Sequence, residues 1–225
     1  MSFARQLIDW QRRHGRHDLP WQGTRDAYRL WVAEVMLQQT RVEAVIPYYR
    51  RFMARFPDVR ALASAPQEEV LRLWSGLGYY ARARNLHRAS QEIVFRRKGV
   101  FPRSAEQIET LPGIGRSTAG AIAAFAYGER VAILDGNAKR VLARCFARQG
   151  DLWPLAVRLL PGKGIEIYTQ ALMDLGATVC TRVAPACARC PLARRCVARR
   201  EGRIAELPAP RRRKPLPTRR ATWLV

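Results

Sequence analysis

Apolar residues recur every three to four positions along most of this chain, which is the spacing of an amphipathic helix. Between positions 27 and 40, for example, Trp31, Val32, Val35 and Met36 fall on one face. Similar apolar faces recur in 3–10, 42–56, 70–77, 81–97, 141–145 and 168–175. No stretch alternates convincingly as a half-buried strand does, and no segment repeats. The pattern therefore predicts an all-α fold.

The stretch from 111 to 137, LPGIGRSTAGAIAAFAYGERVAILDGN, indicates a special site. It opens on a turn in which Gly113 and Gly115 are predicted to take positive φ and to let another backbone come close. The helix that follows consists of small and apolar residues and is predicted to be buried on most sides. A tight turn before a helix leaves unpaired N–H groups that suit a phosphate oxygen. Pro-Gly alone, however, favours an ordinary link between helices.

Charge indicates what kind of partner the protein has. The 225 residues carry 40 Lys and Arg against 18 Asp and Glu, for a net charge of +22 and a pI near 11.3. Solubility does not require such an excess, so nucleic acid is the first candidate partner. The sequence has no secretory signal and no apolar run long enough to cross a membrane. We therefore expect a soluble intracellular monomer, cytoplasmic or nucleoid-associated, with no membrane partner.

Four of the five cysteines lie close together, with the spacing Cys180-x6-Cys187-x2-Cys190-x5-Cys196. Crowded thiols in such a chain are typical of metal ligands and not of a disulfide framework. With no histidine nearby, they suit either a [4Fe–4S] cluster or an all-cysteine zinc site, and the spacing alone does not decide between the two. Cys145 lies outside the set and is predicted to be a core residue.

Two carboxylates are candidates for chemistry. Glu34 lies within the apolar run WVAEVML, and burial there would raise its pKa and make it a general acid at neutral pH. An arbitrary helical glutamate, by contrast, usually lies on a solvated edge. Asp135 follows an apolar run and precedes a predicted helix, so its simplest interpretation is an N-cap.

The motif LPGIGRSTAGAIAAFAYG followed by LDGN resembles the helix-hairpin-helix and the Gly/Pro-Asp loop of the base-excision DNA glycosylases. Together with LQQT and GLGYYARARNLH, it is most similar to the adenine DNA glycosylase branch. The resemblance covers about residues 3–203 and implies a two-lobed fold with a DNA cleft between the lobes. A six-helix domain would span 22–134, with the helix-hairpin-helix at about 106–127. An iron–sulfur cluster domain would combine 1–21 with 135–203.

The resemblance implies catalytic roles for four residues. Glu34 matches the general acid that protonates the adenine leaving group, and Asp135 matches the carboxylate that stabilises the oxocarbenium-like sugar. Breaking an N-glycosidic bond needs this division between a protonated and an ionised carboxyl. Asn137 matches a supporting residue. Ser117 stands where the strand-cutting relatives carry a Schiff-base lysine, so a monofunctional enzyme is expected.

The resemblance also implies the DNA and cluster contacts. Gln38 of LQQT and Tyr79 of GLGYY match wedge residues beside the base opposite the extruded one, although Tyr79 is nearly as typical of a core-edge aromatic. Gln39, the next residue of LQQT, is a further candidate for a DNA contact. Gln170 and Trp21 are weaker matches to the adenine pocket. The hairpin contacts to DNA would come from Leu111, Gly113, Gly115 and Arg116. The loop CTRVAPACARCPLARRC resembles the family's [4Fe–4S] loop, whose ligands would be Cys180, Cys187, Cys190 and Cys196.

Residues 204–225 are predicted to form a basic linker. The family continues past such a linker into a Nudix-like domain that recognises 8-oxoguanine, and we expect this chain to lack that domain and to discriminate 8-oxoguanine from guanine less sharply. The expected reaction is excision of adenine mispaired with 8-oxoguanine or guanine in double-stranded DNA. Two alternatives stay open: an endonuclease III-type glycosylase that also cuts the strand at oxidised pyrimidines, and a non-catalytic DNA-binding protein with an all-cysteine zinc site.

Overall fold

A computed structural model describes residues 1–209, and within that range it contains helices and no strand. The all-α class predicted from the hydrophobic pattern is therefore confirmed for these residues. The predicted linker residues 210–225 lie outside the described part of the chain. The helices are α1 (Phe3–His14), α2 (Ala27–Leu37), α3 (Val42–Arg55), α4 (Val59–Ser64), α5 (Gln67–Trp74), α6 (Ala81–Gln91), α7 (Ala105–Glu109), α8 (Arg116–Tyr127), α9 (Gly136–Phe146), α10 (Trp153–Arg158), α11 (Ile165–Asp174) and α12 (Val197–Arg200).

Polar side chains at several helix starts explain why these helices begin where they do. Ser2, Asp26, Asp58, Ser104 and Asp135 each accept a hydrogen bond from a backbone N–H of the first turn. Such a cap satisfies donors that have no partner inside the helix. Short α4 and α10 were not predicted, because each is too short to show a clear apolar period.

Aromatic side chains fill a first core that is built from α2 to α8. Trp31, Met36, Phe52, Phe56 and Trp74 are all fully buried there. Phe52 packs edge-on against Trp74, with ring centroids 6.1 Å apart. The large rings make this core the main source of apolar burial in its half of the molecule.

A second core lies between α1, α9 and α11. Phe3 of α1 packs near Phe146 and Tyr168, with ring centroids 5.4 and 6.4 Å away. Helix α8 contributes to both cores, because Ile122 belongs to the first while Ala121 and Ala124 belong to the second. The segment 128–135 then leads directly from α8 to the N-cap of α9. The domain boundaries given above stay a prediction.

Two helices continue beyond their regular ends. Residues Glu92–Arg96 extend α6, and Leu175–Val179 extend α11, each as a π-helical turn. The second extension delivers the chain to Cys180. In the described residues, no helix is both long and apolar enough to cross a membrane.

Gly120 is predicted to be required for the packing of α8. A Cβ on this residue would lie 2.8 Å from the carbonyl oxygen of Ala132, which is backbone and cannot swing away. We expect Gly120→Ala to lower the free energy of unfolding by about 1–3 kcal/mol, the usual cost of overpacking. Urea denaturation measures this change. Gly136→Ala is the control, because a Cβ there meets nothing within 4 Å, and equal effects of the two substitutions would contradict the prediction.

Candidate active site

Glu34 lies on α2 among side chains that are almost all buried, including Leu30, Trp31 and Val35. Its carboxyl has no hydrogen-bond partner among residues 1–209. Burial and, secondarily, the charge of Asp135 raise the pKa of Glu34 to about 8. The side chain itself is only half-buried, because it faces an open cavity. Glu34 is therefore a carboxyl that holds its proton near neutral pH and can reach a ligand.

Asp135 is the N-cap of α9, as its position before a helix predicted. Its Oδ1 accepts a hydrogen bond of 2.7 Å from the backbone N–H of Ala138, and its Oδ2 accepts one of 3.4 Å from Asn137 Nδ2. Burial raises the pKa of Asp135, while the Ala138 and Asn137 hydrogen bonds and the charge of Arg140 act in the opposite direction. Asp135 thus has hydrogen-bond partners that favour its ionised form, whereas Glu34 has none in the part of the chain that the structure describes.

Ser117 lies in the first turn of α8 and fixes the approach to Asp135. Its Oγ accepts a hydrogen bond of 3.0 Å from the backbone N–H of Leu134. The hydroxyl therefore holds the chain one residue before the Asp135 cap against the hairpin helix. The structure places the four predicted catalytic residues, Glu34, Ser117, Asp135 and Asn137, in one region.

The hairpin before α8 differs in part from the prediction. Gly113 has φ 78°, and a Cβ there would lie 2.6 Å from Asn85 Cβ, so glycine is required. The prediction for Gly115 was wrong: it is the helix N-cap, with φ −98°, and a Cβ there would meet nothing within 4 Å. A helix start needs extended backbone at its N-cap, which any residue can adopt. The open side of Gly115 faces no described residue.

The remaining hairpin residues lie on either side of the turn. The Leu111 side chain is 2% exposed and belongs to the core, so only its backbone is available for a contact outside the protein. Arg116 begins α8, and its guanidinium carbon lies 3.9 Å from the ring centroid of Trp153 on α10. This cation–π contact fixes a positive charge beside the unpaired N–H groups of the helix start.

A cavity of about 550 Å³ opens beside Glu34. Its walls include three of the predicted residues, Trp21, Glu34 and Gln170, together with apolar Leu30 and Phe125. Trp21 is buried, and its ring packs edge-on against Tyr49 at 5.3 Å. The cavity combines these apolar walls with many polar and charged side chains from the segment 11–25 and from α11. A second cavity, of about 700 Å³ between α1 and the cysteine loop, contains none of the predicted catalytic residues.

Arg82 joins the two loops that carry the predicted wedge residues. It is 9% exposed, and its terminal nitrogens donate to acceptors on both loops. Gln39 and Tyr79 have the unusual φ angles of 57° and 49°, and Tyr79 is 62% exposed. The loop acceptors are the carbonyl oxygens of Gln38, Leu77 and Gly78 and the hydroxyl of Thr40, and the last turn of α2 adds the carbonyl oxygens of Val35 and Met36.

Gln38 connects the first of these loops to the hairpin helix. Its Nε2 donates to Thr118 Oγ1 of α8 at 3.4 Å. The Arg82 guanidinium also lies over the rings of Trp74 and Tyr79, at 5.4 and 5.5 Å from the centroids. Two strained loops are thus held at one edge of the site by a single buried cation.

The four predicted cysteine ligands line one small cavity. Within residues 1–209, no three His, Cys, Asp or Glu side chains are placed to hold a single metal ion. As a free thiol, Cys190 has its pKa raised to about 11, chiefly by burial. Four thiols around one cavity fit a group that is held by cysteine sulfur. Cys145 is buried in the second core, as predicted.

Two arginines of α9 connect the Asp135 turn to the cysteine loop. Arg140 donates to Asn137 Oδ1 at 2.8 Å, to the Gly176 carbonyl at 2.6 Å and to the Cys180 carbonyl at 2.7 Å. Arg144, one turn further on, is 3% exposed; it donates to backbone carbonyls of the loop and lies 3.5 Å from Cys180 Sγ. The cysteine loop and the predicted catalytic turn therefore share one helix.

Sequence reasoning missed Arg82, Arg140, Arg144 and the buried Asp174. The three arginines could not be picked out by residue type in a chain so rich in arginine. The helical register held a partial signal, since Arg140 and Arg144 lie one turn apart on the helix that starts at Asp135. The sequence signal for Asp174 was clearer, because an aspartate inside the apolar run of 168–175 needs buried partners.

The fold and this site define a class of DNA repair protein. A family model described as HhH-GPD superfamily base excision DNA repair protein matches residues 32–156, more than half of the chain. The chain belongs to this superfamily. A solved thermostable thymine-DNA glycosylase has a TM-score of 0.81 at 27% identity, covering 88% of this chain and 95% of that one. An endonuclease III–DNA complex, at 20% identity, has a TM-score of 0.76 over 88% of this chain and 94% of that chain, which shows likeness of fold alone.

Curated relatives point to one branch of the superfamily. The adenine DNA glycosylase of Buchnera aphidicola subsp. Acyrthosiphon pisum is 38% identical over 99% of this chain and 66% of its own length. Those of Rattus norvegicus and Homo sapiens are 43% and 44% identical over 92% and 88% of this chain, but only 44% and 39% of their own lengths. The chain thus spans less than two thirds of the length of each of these relatives.

Arg82 is predicted to stabilise the two loops that carry Gln38 and Tyr79. We expect Arg82→Lys to lower the free energy of unfolding by about 1–3 kcal/mol, because an ammonium cannot replace a planar fork that bonds two loops at once. Urea denaturation tests this. Arg84→Lys, on the exposed face of the same helix, is the matched control and should change little, so equal effects would contradict the role of Arg82.

Proposed function

We propose that this chain is a monofunctional DNA glycosylase that removes adenine mispaired with 8-oxoguanine or guanine in double-stranded DNA. The observation that carries the proposal is the pairing of Glu34, whose pKa is raised to about 8, with the hydrogen-bonded carboxylate of Asp135. The relatives named adenine DNA glycosylase support the choice of adenine. A cavity with apolar walls beside Glu34 offers room for an extruded base.

In the proposed reaction Glu34 protonates the adenine as the N-glycosidic bond breaks. The bonding electrons leave with the base, and the sugar develops positive charge that the Asp135 carboxylate stabilises. Water then adds to the sugar carbon and gives its proton to a carboxylate, which leaves an abasic site. Asn137 supports this step by holding Asp135 Oδ2 with its Nδ2.

The proposal excludes strand cutting because the hairpin helix offers a hydroxyl and no amine. A lyase needs an amine that forms a Schiff base with the sugar. Ser117 occupies the corresponding position, and its Oγ is already bonded to the N–H of Leu134. The hydroxyl therefore serves to fix the Asp135 turn.

DNA would bind along the hairpin and the wedge loops. The N–H groups at the start of α8, with Arg116 fixed over Trp153, suit a phosphate. Exposed Tyr79 and the Gln38–Gln39 turn suit the space left by an extruded base. The net charge of +22 supports strong, salt-dependent binding to phosphates. An endonuclease III of the same fold was solved in complex with DNA, which supports DNA as the class of partner.

The cysteine loop would hold a [4Fe–4S] cluster through Cys180, Cys187, Cys190 and Cys196. The four thiols share one cavity, which supports a group held by cysteine sulfur. The resemblance of the loop to the family's iron–sulfur loop favours the cluster over a zinc ion. The cluster would supply a rigid support for the loop. Arg182, Arg189, Arg194 and Arg195 of that loop would then face phosphates.

The reaction is tested by single-turnover assays on duplexes with adenine opposite 8-oxoguanine, adenine opposite guanine, and thymine glycol opposite adenine. Each is assayed with and without alkali. We expect strand breaks only at adenine and only after alkali. Breaks at thymine glycol without alkali would contradict the proposal and favour the strand-cutting alternative.

In the same assay Glu34→Gln should lower the rate of adenine excision by about 10²–10⁴-fold while DNA binding persists. The wild-type rate should fall as the pH rises above about 8, because the proton that Glu34 donates is lost there. Glu43→Gln, at an exposed position on α3, is the matched control. Activity retained by Glu34→Gln would remove Glu34 as the acid.

A stability measurement separates loss of chemistry from loss of fold. Folding raises the pKa of Glu34, so the stability it contributes is fully present below about pH 4.5 and is lost as the pH rises through about 8. Glutamine has no such dependence. Glu34→Gln should therefore gain stability relative to the wild type between pH 5 and 8.

The cluster is tested by metal analysis of protein purified without oxygen. We expect brown protein that contains iron and acid-labile sulfide, whereas a zinc protein would be colourless. Cys190→Ser should lose iron, because it removes one ligand. Cys145→Ala, outside the ligand set, should keep it. Zinc in place of iron would contradict the proposed cluster.

A further inference from the structure

Asp174 is the most fully satisfied buried carboxylate in the described residues. It is the last residue of α11 and is 0% exposed. Its Oδ2 accepts from Gln11 Nε2 and from the Arg16 backbone N–H, both at 2.9 Å. Its Oδ1 accepts from Arg16 Nε at 2.8 Å, from Arg16 Nη2, and from Gln170 Nε2 at 2.9 Å. These partners come from α1, from the loop after it and from α11.

The chemistry of a carboxylate fixes which atom each partner must present. An ionised carboxylate only accepts hydrogen bonds, whereas a glutamine amide has a nitrogen that donates and an oxygen that accepts. Gln170 lies one turn before Asp174, on the same face of α11, so its side chain can reach the carboxylate. The amide must therefore turn its Nε2 to Asp174. No described residue donates to Gln170 Oε1, and Gln170 lines the cavity beside Glu34.

We propose that Asp174 is a positioning residue that makes the pocket select a base with an exocyclic amino group, by locking the Gln170 amide with its carbonyl oxygen free for the base. This rests on the proposed function, because the selected base occupies the cavity beside Glu34. Asp174 does not touch the base. It acts through the orientation of Gln170, which Arg16 and Gln11 reinforce by saturating the other lone pairs of the carboxylate.

The donor and acceptor pattern of purines gives this orientation a measurable consequence. Adenine carries a 6-amino group, which donates to a carbonyl oxygen. Hypoxanthine carries an oxygen in the same place and meets the Gln170 oxygen as a second acceptor. Purine without a 6-substituent offers neither. A site built to pair with one polar group rejects analogues that leave its own group unpaired.

Asp174→Asn is the informative change because it alters the hydrogen-bonding groups at this position while the side chain keeps its size and shape. In the variant, one of the two acceptor oxygens becomes an NH₂ group that faces the N–H donors of Arg16, Gln11 and Gln170. These partners can no longer all be satisfied, so the Gln170 amide is no longer held in one orientation and can turn its NH₂ group to the cavity. The rate preference for adenine over unsubstituted purine should fall on the order of tenfold or more. The relative rate for hypoxanthine should rise.

The experiment measures single-turnover excision of adenine, purine and hypoxanthine, each opposite 8-oxoguanine in the same duplex. Wild type, Asp174→Asn, Gln170→Leu and the control Asp9→Asn are compared. Among the described residues the Asp9 carboxylate pairs with Arg5 alone, near the surface, so its substitution makes the same charge change away from the pocket. Intrinsic leaving-group differences among the bases are common to all four proteins and cancel in the ratio of rates.

Each outcome decides the proposal. Lowered adenine preference in Asp174→Asn and in Gln170→Leu, with Asp9→Asn like the wild type, supports it. Equal slowing of all three bases in Asp174→Asn overturns it, because that is the result of a merely structural role. If Asp174→Asn does not fold, an unchanged base preference in Gln170→Leu overturns the proposal and a lowered one supports it. A wild type that excises none of these bases would instead refute the proposed function itself.

Discussion

The desolvation of one carboxyl governs the candidate site. Glu34 lies on a helix whose other side chains fill the first core, and this position raises its pKa to about 8. A charged form there would be partly desolvated and would have no hydrogen-bond partner among the described residues. Asp135 lies close enough to raise that pKa further, yet it keeps its own donors from Ala138 and Asn137. Two identical functional groups are thus made different by their surroundings, which is the condition for acid catalysis beside a stabilising anion.

The rest of the fold holds those surroundings in place. Helix α8 belongs to both cores, so the hairpin at its start and the Asp135 turn that follows it keep a fixed relation to Glu34. Helix α9 extends this frame from Asp135 to the cysteine loop through Arg140 and Arg144. A change in the cysteine loop therefore has a short covalent and hydrogen-bonded route to the Asp135 turn.

Buried ionic groups appear in this protein where loops must be held. Arg82 bonds carbonyl oxygens of two loops, and Asp174 bonds nitrogens from three segments. Each would destabilise the fold if one partner were removed, because the other would remain buried and unpaired. Asp174 also fixes Gln170 in the wall of the cavity, whereas Arg82 fixes the segments that carry Gln38 and Tyr79. The same interactions therefore stabilise the fold and set the geometry of the site.

The sequence by itself determined the features that depend on neighbouring residues. The period of the apolar residues predicted the long helices. The position of Asp135 before a helix predicted its role as an N-cap, and the cysteine spacing predicted a group of thiols, which line one cavity. The motif LPGIGRST with LDGN gave the superfamily, which the family model confirms. Local spacing determines these because they involve a few consecutive turns of chain.

Only the tertiary structure decided the features that depend on distant segments. The sequence left open whether Glu34 was solvated, because burial is set by what packs against α2 and not by its own neighbours. It misjudged Gly115, whose φ follows from the start of α8. It could not show the partners of Arg82 or Asp174, which come together only when helices and loops far apart in the chain meet. The residue types determine which chemical groups the site contains. The packing around them determines the pKa of Glu34 and the orientation of the Gln170 amide.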